Sequence, residues 1–212
     1  MTTIQATGTG IASIPAELAT ITANIDARSS DRSTSVANAT TLHNEVVDTA
    51  KKLIESGDAI WHSASPIRTM AQKTYVNGQP DQVAIEYVTT SYVKIKLSNL
   101  ELVSELATKL AEAGVDASVG WSLTDETKRS TESDVRKQAV VEAGQVAADY
   151  AEALGEQIGV VLSITDVSSG VQPVGPGSGV MRSLAVSAPA EVTIEDITVT
   201  SQVIGTYETI QA

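Results

Sequence analysis

The chain has 212 residues, of which 42% are hydrophobic and 19% charged, and a formal net charge of −12, the make-up of a globular protein and not of a disordered one. Such acidity repels phosphate backbones and anionic lipid, so neither nucleic acid nor direct membrane insertion is an expected partnership, and no apolar run approaches the ~20 residues a spanning helix needs. With no Cys in the chain, disulfides, thiolate catalysis and Cys-based metal centres are excluded.

Met1-Thr2-Thr3-Ile4 leads straight into a strand-like segment, without a basic start or an apolar stretch. This predicts a cytoplasmic protein if Met1 is the native start, and a periplasmic or envelope one otherwise. In segment 3–11, Gly8-Thr9-Gly10 reads as a turn or bulge between the first two strands, and Pro15 punctuates the chain. Segment 17–27 alternates cleanly, with Ala19, Ile21, Ala23 and Ile25 on one face and Thr20, Thr22, Asn24 and Asp26 on the other.

From Asp31 the period changes. Val36, Ala39, Leu42, Val46, Val47, Ala50, Leu53 and Ile54 recur at helical steps, with Asp31 or Ser33 as cap and Gly57 as stop. Ala59 to Met70 reads as a strand, Asn77-Gly78 as a turn, and 82–97 as a long strand rich in β-branched and aromatic residues. Ser98 or Asn99 caps a helix lined by Leu102, Leu106 and Leu110 that stops at Gly114. Val115 to Leu123 follows as a strand. The longest helix, 125–154, carries a narrow stripe of Val135, Ala139, Ala143, Val146, Ala147, Tyr150 and Leu154. Strands over 160–167 and 192–207 close the chain.

The order predicts an α+β fold. Its core is a split β-α-β-β-α-β unit, with helices on one face of a mainly antiparallel sheet, extended by the third long helix and the terminal strands. A two-part reading, with the terminal strands and long helix apart from that core, is the alternative. Residues 168–190 hold four Gly, three Pro and five Ser, a composition for a long connection, either mobile or used for contacts. Its Val180, Met181, Arg182, Leu184 and Val186 are the candidate interface of an arm that docks on a neighbouring subunit.

No catalytic, metal or cofactor constellation emerges. His43 and His62 are the two histidines, and no His-Glu-x-x-His or Asp-rich calcium loop exists. Gly175-Pro176-Gly177-Ser178-Gly179 puts Pro where a nucleophile elbow needs its first Gly. Gly8-x-Gly10 lacks the third Gly of a dinucleotide cradle. The 26 acids read as solvated faces and helix-start charges, Asp125-Glu126 among the latter.

The ordered set of motifs resembles the SIMPL-domain family, the YggE-like proteins. It comprises Ile4-x-Ala6-x-Gly8-x-Gly10, then Ile14-Pro15-Ala16-x-Leu18-Ala19, the helix with Asn38 and Asn44, the strand–helix pair from Tyr87 to Gly114, the Ala139, Ala143, Ala147, Ala151 rhythm into Leu154-Gly155, and Gly159-Val160-Val161-Leu162-Ser163-Ile164. Ala16-Glu17 departs from the acidic residue usual after the early Pro. The resemblance implies one SIMPL-like domain over 1–212, an α+β architecture, no recognised catalytic residues and, in some members, large ring-like homo-oligomers. It also implies loose links to oxidative-stress tolerance in bacteria and to kinase-associated signalling in animals.

Three functions compete on this reading. One is a non-enzymatic, self-associating scaffold or interaction protein, a homo-oligomer with no cofactor. A second is a small-molecule binding module or an uncharacterised enzyme, with Trp61, Pro66, Tyr75, Tyr87, Tyr92 and Trp121 as the lining of an aromatic pocket. A third is envelope association through a protein partner.

Overall fold

The computed structural model describes residues 2–75, 83–174 and 192–211. Among these described residues, eight strands and three helices divide between two compact units. The central unit holds β2 (Leu18–Ser29), α1 (Arg32–Glu55), β3 (Ala59–Ala64), β4 (Arg68–Tyr75), β5 (Val83–Leu97), α2 (Leu102–Glu112) and β6 (Asp116–Ser122). The terminal unit holds β1 (Thr3–Pro15), α3 (Asp125–Ala153), β7 (Glu156–Val174) and β8 (Asp196–Gln211).

In the central unit the sheet order is β3-β5-β2-β6, all antiparallel. Each helix therefore joins two strands that have a third inserted between them, which is the expected split arrangement. Alternation decides which face is covered. Ala19, Ile21, Ala23 and Ile25 of β2 lie with Val93, Ile95 and Leu97 of β5 in the core, all but fully buried. Asn24, Asp26 and Arg28, on the other face of β2, stay exposed.

The caps follow the sequence at α1 and depart from it at α2. Asp31 accepts the Thr34 N–H at 2.8 Å, so it is the cap of α1. Gly57 and Gly114, at φ 84° and 74°, supply the left-handed residues after α1 and α2. No side chain caps α2 at Glu101, though Asn99 Oδ1 accepts the Glu101 N–H at 3.3 Å in the turn that leads into the helix. Asn99 Nδ2 donates to Asp58 Oδ1 at 2.8 Å, and the Ser98 and Asn99 N–H groups both bond the Asp58 carbonyl. That tie to the preceding turn delays the helix to Leu102, after Glu101.

The strand expected over 59–70 is two strands on one edge of β5. β3 pairs with Val93–Leu97 and β4 with Val83–Thr90. Pro66 forces the break, because it has no N–H for the ladder. Ser65 bridges the step: its N–H bonds the Tyr92 carbonyl at 2.9 Å, and its Oγ accepts the Tyr92 N–H at 2.8 Å.

α1 is fastened to β5 by a row of hydroxyls. Buried Ser35 donates to the Ala27 carbonyl at 2.8 Å and meets Thr89 Oγ1 at 2.6 Å; Thr89 in turn meets Thr69 Oγ1 at 3.0 Å. One step along β5, His43 Nδ1 lies 3.0 Å from Ser91 Oγ.

In the terminal unit β8 is the middle strand, with β1 and β7 antiparallel on either side. Its residues alternate, and Ile197, Val199, Ser201, Val203, Tyr207 and Thr209 are buried on one face. α3 covers that face. Its buried stripe is Thr131, Val135, Ala139, Ala143, Ala147 and Ala151, a strict four-residue step. Tyr150 and Leu154, expected in the stripe, are exposed, because a step of four keeps to the Ala column and passes them by.

The small stripe meets a small strand. Gly8 and Gly10 are neither turn nor bulge; they sit inside β1, in unbroken register with Val203 and Ser201. A Cβ on Gly8 would overlap the Ala139 carbonyl oxygen and the Ala143 nitrogen, and one on Gly10 the Val135 carbonyl. The two glycines let strand and helix backbones touch. Nearby, the Tyr207 ring lies over Gly205, where a Cβ would strike it, and burial raises the phenol's pKa.

β7 runs to Val174, so residues 168–174 of the expected loop are strand, paired with Asp196–Gln202. The remaining candidates there, Val180, Met181, Arg182, Leu184 and Val186, lie outside the described residues, as does Asn77-Gly78.

Candidate functional site

An edge strand exposes a row of unpaired N–H and C=O groups, which proteins manage in some way. β1 and β7 are the two edges of the terminal sheet, and the chain treats them differently. On β1 the outward N–H of Thr9 is bonded by the Glu142 carboxylate, and that of Ile11 by Gln138 Oε1 at 3.2 Å. Both acceptors stand on α3, so the helix that packs on β1 also closes its edge.

Among the described residues no side chain bonds the outward edge of β7 in this way. α3 lies chiefly over β1 and β8, leaving β7 projecting beyond it. Val160, Val161, Leu162, Ile164 and Val167 are therefore 57, 54, 53, 42 and 49% exposed. Val161 and Ile164 pair with Tyr207 and Gly205, so they share the helix-facing side; Val160, opposite Glu208, is on the other. The register shifts between Ile158 and Val160, Val161 and Ser163, and Asp166 and Ser168. Three irregularities twist the edge and spoil it as a template for strand pairing. What remains is an apolar strip available through its side chains, with Asp166 as its only ionisable residue between 157 and 174.

A second feature lies within the central unit. The break at Pro66 opens a pocket of about 530 Å³ against the sheet, lined by Asn24, Ile25, Asp26, Ser65, Pro66, Arg68, Thr90, Ser91 and Tyr92. That volume is in the range of small-molecule sites. Two of the six aromatic-pocket candidates, Pro66 and Tyr92, meet here. Trp61 stands on the same sheet face, opposite Lys96, but does not line the pocket. Trp121 is buried on β6 beside Ala19, and Tyr87 stands on the other face of β5, opposite Ser29 and Ala71. The side chain of Tyr75 lies outside those described.

Arg68, Asn24 and Asp26 escape a search for aromatic clusters; only the pairing of β4 with β5 brings Arg68 opposite Thr90. Asp26 is held by the Arg28 guanidinium, Nε to Oδ1 at 2.9 Å. The Lys94 ammonium sits over the Tyr92 ring, 5.6 Å from its centre. The contact of His43 with Ser91 has no carboxylate bonded to the ring among the described residues, so the orienting third member of a triad is missing from it.

Among the described residues no helix is long and apolar enough to cross a membrane. A comparison with curated proteins finds no match. The model of one family, SIMPL, described as a protein of unknown function (DUF541), matches residues 4–207 and so runs across both units. With nearly the whole length matched, the chain belongs to the SIMPL family.

Proposed function

We propose that this protein is a non-enzymatic, self-associating scaffold or interaction protein, and that copies meet through the β7 strip. The observation that carries it is the row Val160, Val161, Leu162, Ile164 and Val167, each between 42 and 57% exposed. Five exposed aliphatic side chains within eight residues, Val161 and Ile164 on the helix-facing side and Val160 on the other, mark an interaction surface more than scattered ones do. Charge opposes contact between copies everywhere on the surface, and opposes it least at β7, where Asp166 is the one ionisable residue between 157 and 174. Each chain carries −12, so two copies repel unless they meet where charge is sparse, and β7 is that place. The bulges oppose edge-to-edge pairing, so the contact is side chain on side chain, which limits growth into open fibrils.

The non-enzymatic part has its support in how the family-like positions are used. Gly8, Gly10, Ala139 and Ala143 serve the approach of β1 to α3. Sedimentation equilibrium at low and high salt tests the reading. Apolar contact between like-charged chains predicts association that tightens as salt screens the repulsion. Association that dissolves in salt would contradict it, as would a chain that stays single at all concentrations.

A further inference from the structure

We propose that the pocket at the Pro66 break binds a small planar anion, an aromatic ring carrying one carboxylate or phosphate. This stands on residues of the central unit and is independent of the β7 strip. The pocket is built, not incidental: Ser65 satisfies the Tyr92 N–H and carbonyl on β5 while the chain steps away at Pro66. The step leaves a notch of about 530 Å³ without an orphaned backbone group at Tyr92.

Its walls divide the ligand into two parts. Tyr92, 44% exposed, and Pro66 offer a flat apolar surface to a ring. Arg68 offers a planar fork that matches a carboxylate or phosphate with two parallel hydrogen bonds. Arg68 has no ion-pair partner among the described residues, whereas Asp26 is paired with Arg28, which also lies 3.9 Å from Glu86. Lys94 adds a second positive charge beside the ring of Tyr92. Asp26 and Arg68 are the charged residues that line the pocket, and Lys94 at its rim tips the local balance to positive on a chain of −12. Asn24 and Thr90 supply neutral hydrogen-bonding groups for ring substituents. A long polyanion is disfavoured by the same net charge, so the ligand carries one anionic group, not a chain of them.

Isothermal titration of the full chain tests this with benzoate and phenyl phosphate, against neutral benzyl alcohol, acetate and inorganic phosphate. At least one ring anion should bind with Kd below about 1 mM, about tenfold or more tighter than its neutral or ring-free counterpart. The preferred one of the two tells carboxylate from phosphate. Arg68→Gln and Tyr92→Ala, both at exposed positions, should each weaken it about tenfold. Both variants should keep the wild-type native mass, which separates failure here from failure of the assembly reading. No binding by either ring anion, or affinity unchanged in both variants, overturns the proposal.

Discussion

Gly8 and Gly10 make the sharpest demand on residue identity in the chain. A methyl group at either would occupy space taken by the backbone of α3, and backbone cannot turn aside as a side chain can. Gly8→Ala or Gly10→Ala should therefore destabilise by about 3 kcal/mol, at the upper end for overpacking, as measured by urea unfolding. A loss below about 0.5 kcal/mol would show that strand and helix can part at little cost. Asp31 and Asp58 carry a different prediction. Hydrogen bonds from Ser33 and then Thr34 hold the Asp31 carboxyl below its ordinary pKa, and those from Ser56 and then Asn99 do so for Asp58. A depressed folded-state value means stability that is present above the unfolded value, about 3.9, and lost as pH falls through the folded one. The Tm deficit of Asp31→Asn and Asp58→Asn should be present at pH 7 and shrink in acid. A deficit constant with pH would assign the effect to shape instead of charge.

At the scale of elements, the two edges of the terminal sheet are protected by unlike means, and each can be removed. Gln138→Ala with Glu142→Ala strips the acceptors from the Thr9 and Ile11 N–H groups. The bared β1 edge should pair with other strands, so thioflavin-positive aggregation should begin sooner than in wild type. An unchanged lag would mean that water serves those groups equally well. Most elements are legible in the sequence, because period-2 alternation in β2 and helical spacing in α1 are local properties. What is not legible is set across the chain. The break at Pro66 matters only because β3 and β4 share one edge of β5. Gly8 and Gly10 look like a turn until α3, more than 100 residues on, is placed against them. Val160–Val167 reads only as a strand, since apolar content cannot tell a covered strand from one that projects beyond its helix. The pocket is half legible: Tyr92 and Pro66 stand out as scarce residue types, while Arg68 joins them only through sheet register.

At the scale of the whole molecule, charge and apolar surface pull in opposite directions. A net charge of −12 keeps copies apart, and the β7 strip draws them together. Assembly is therefore governed by a few side chains of the strip. Val161 and Ile164 are partly exposed and share one side of β7, so lysine at both adds charge to the strip while leaving the covered core of β8 and α3 intact. Light scattering coupled to size exclusion, on wild type and on the Val161→Lys, Ile164→Lys double variant, decides whether β7 joins the copies. The wild-type mass should be a multiple of the 22.1 kDa chain, and the variant should fall to a single chain with an unchanged circular dichroism spectrum. A wild-type protein that elutes as one chain, or an assembly indifferent to the two lysines, would contradict it.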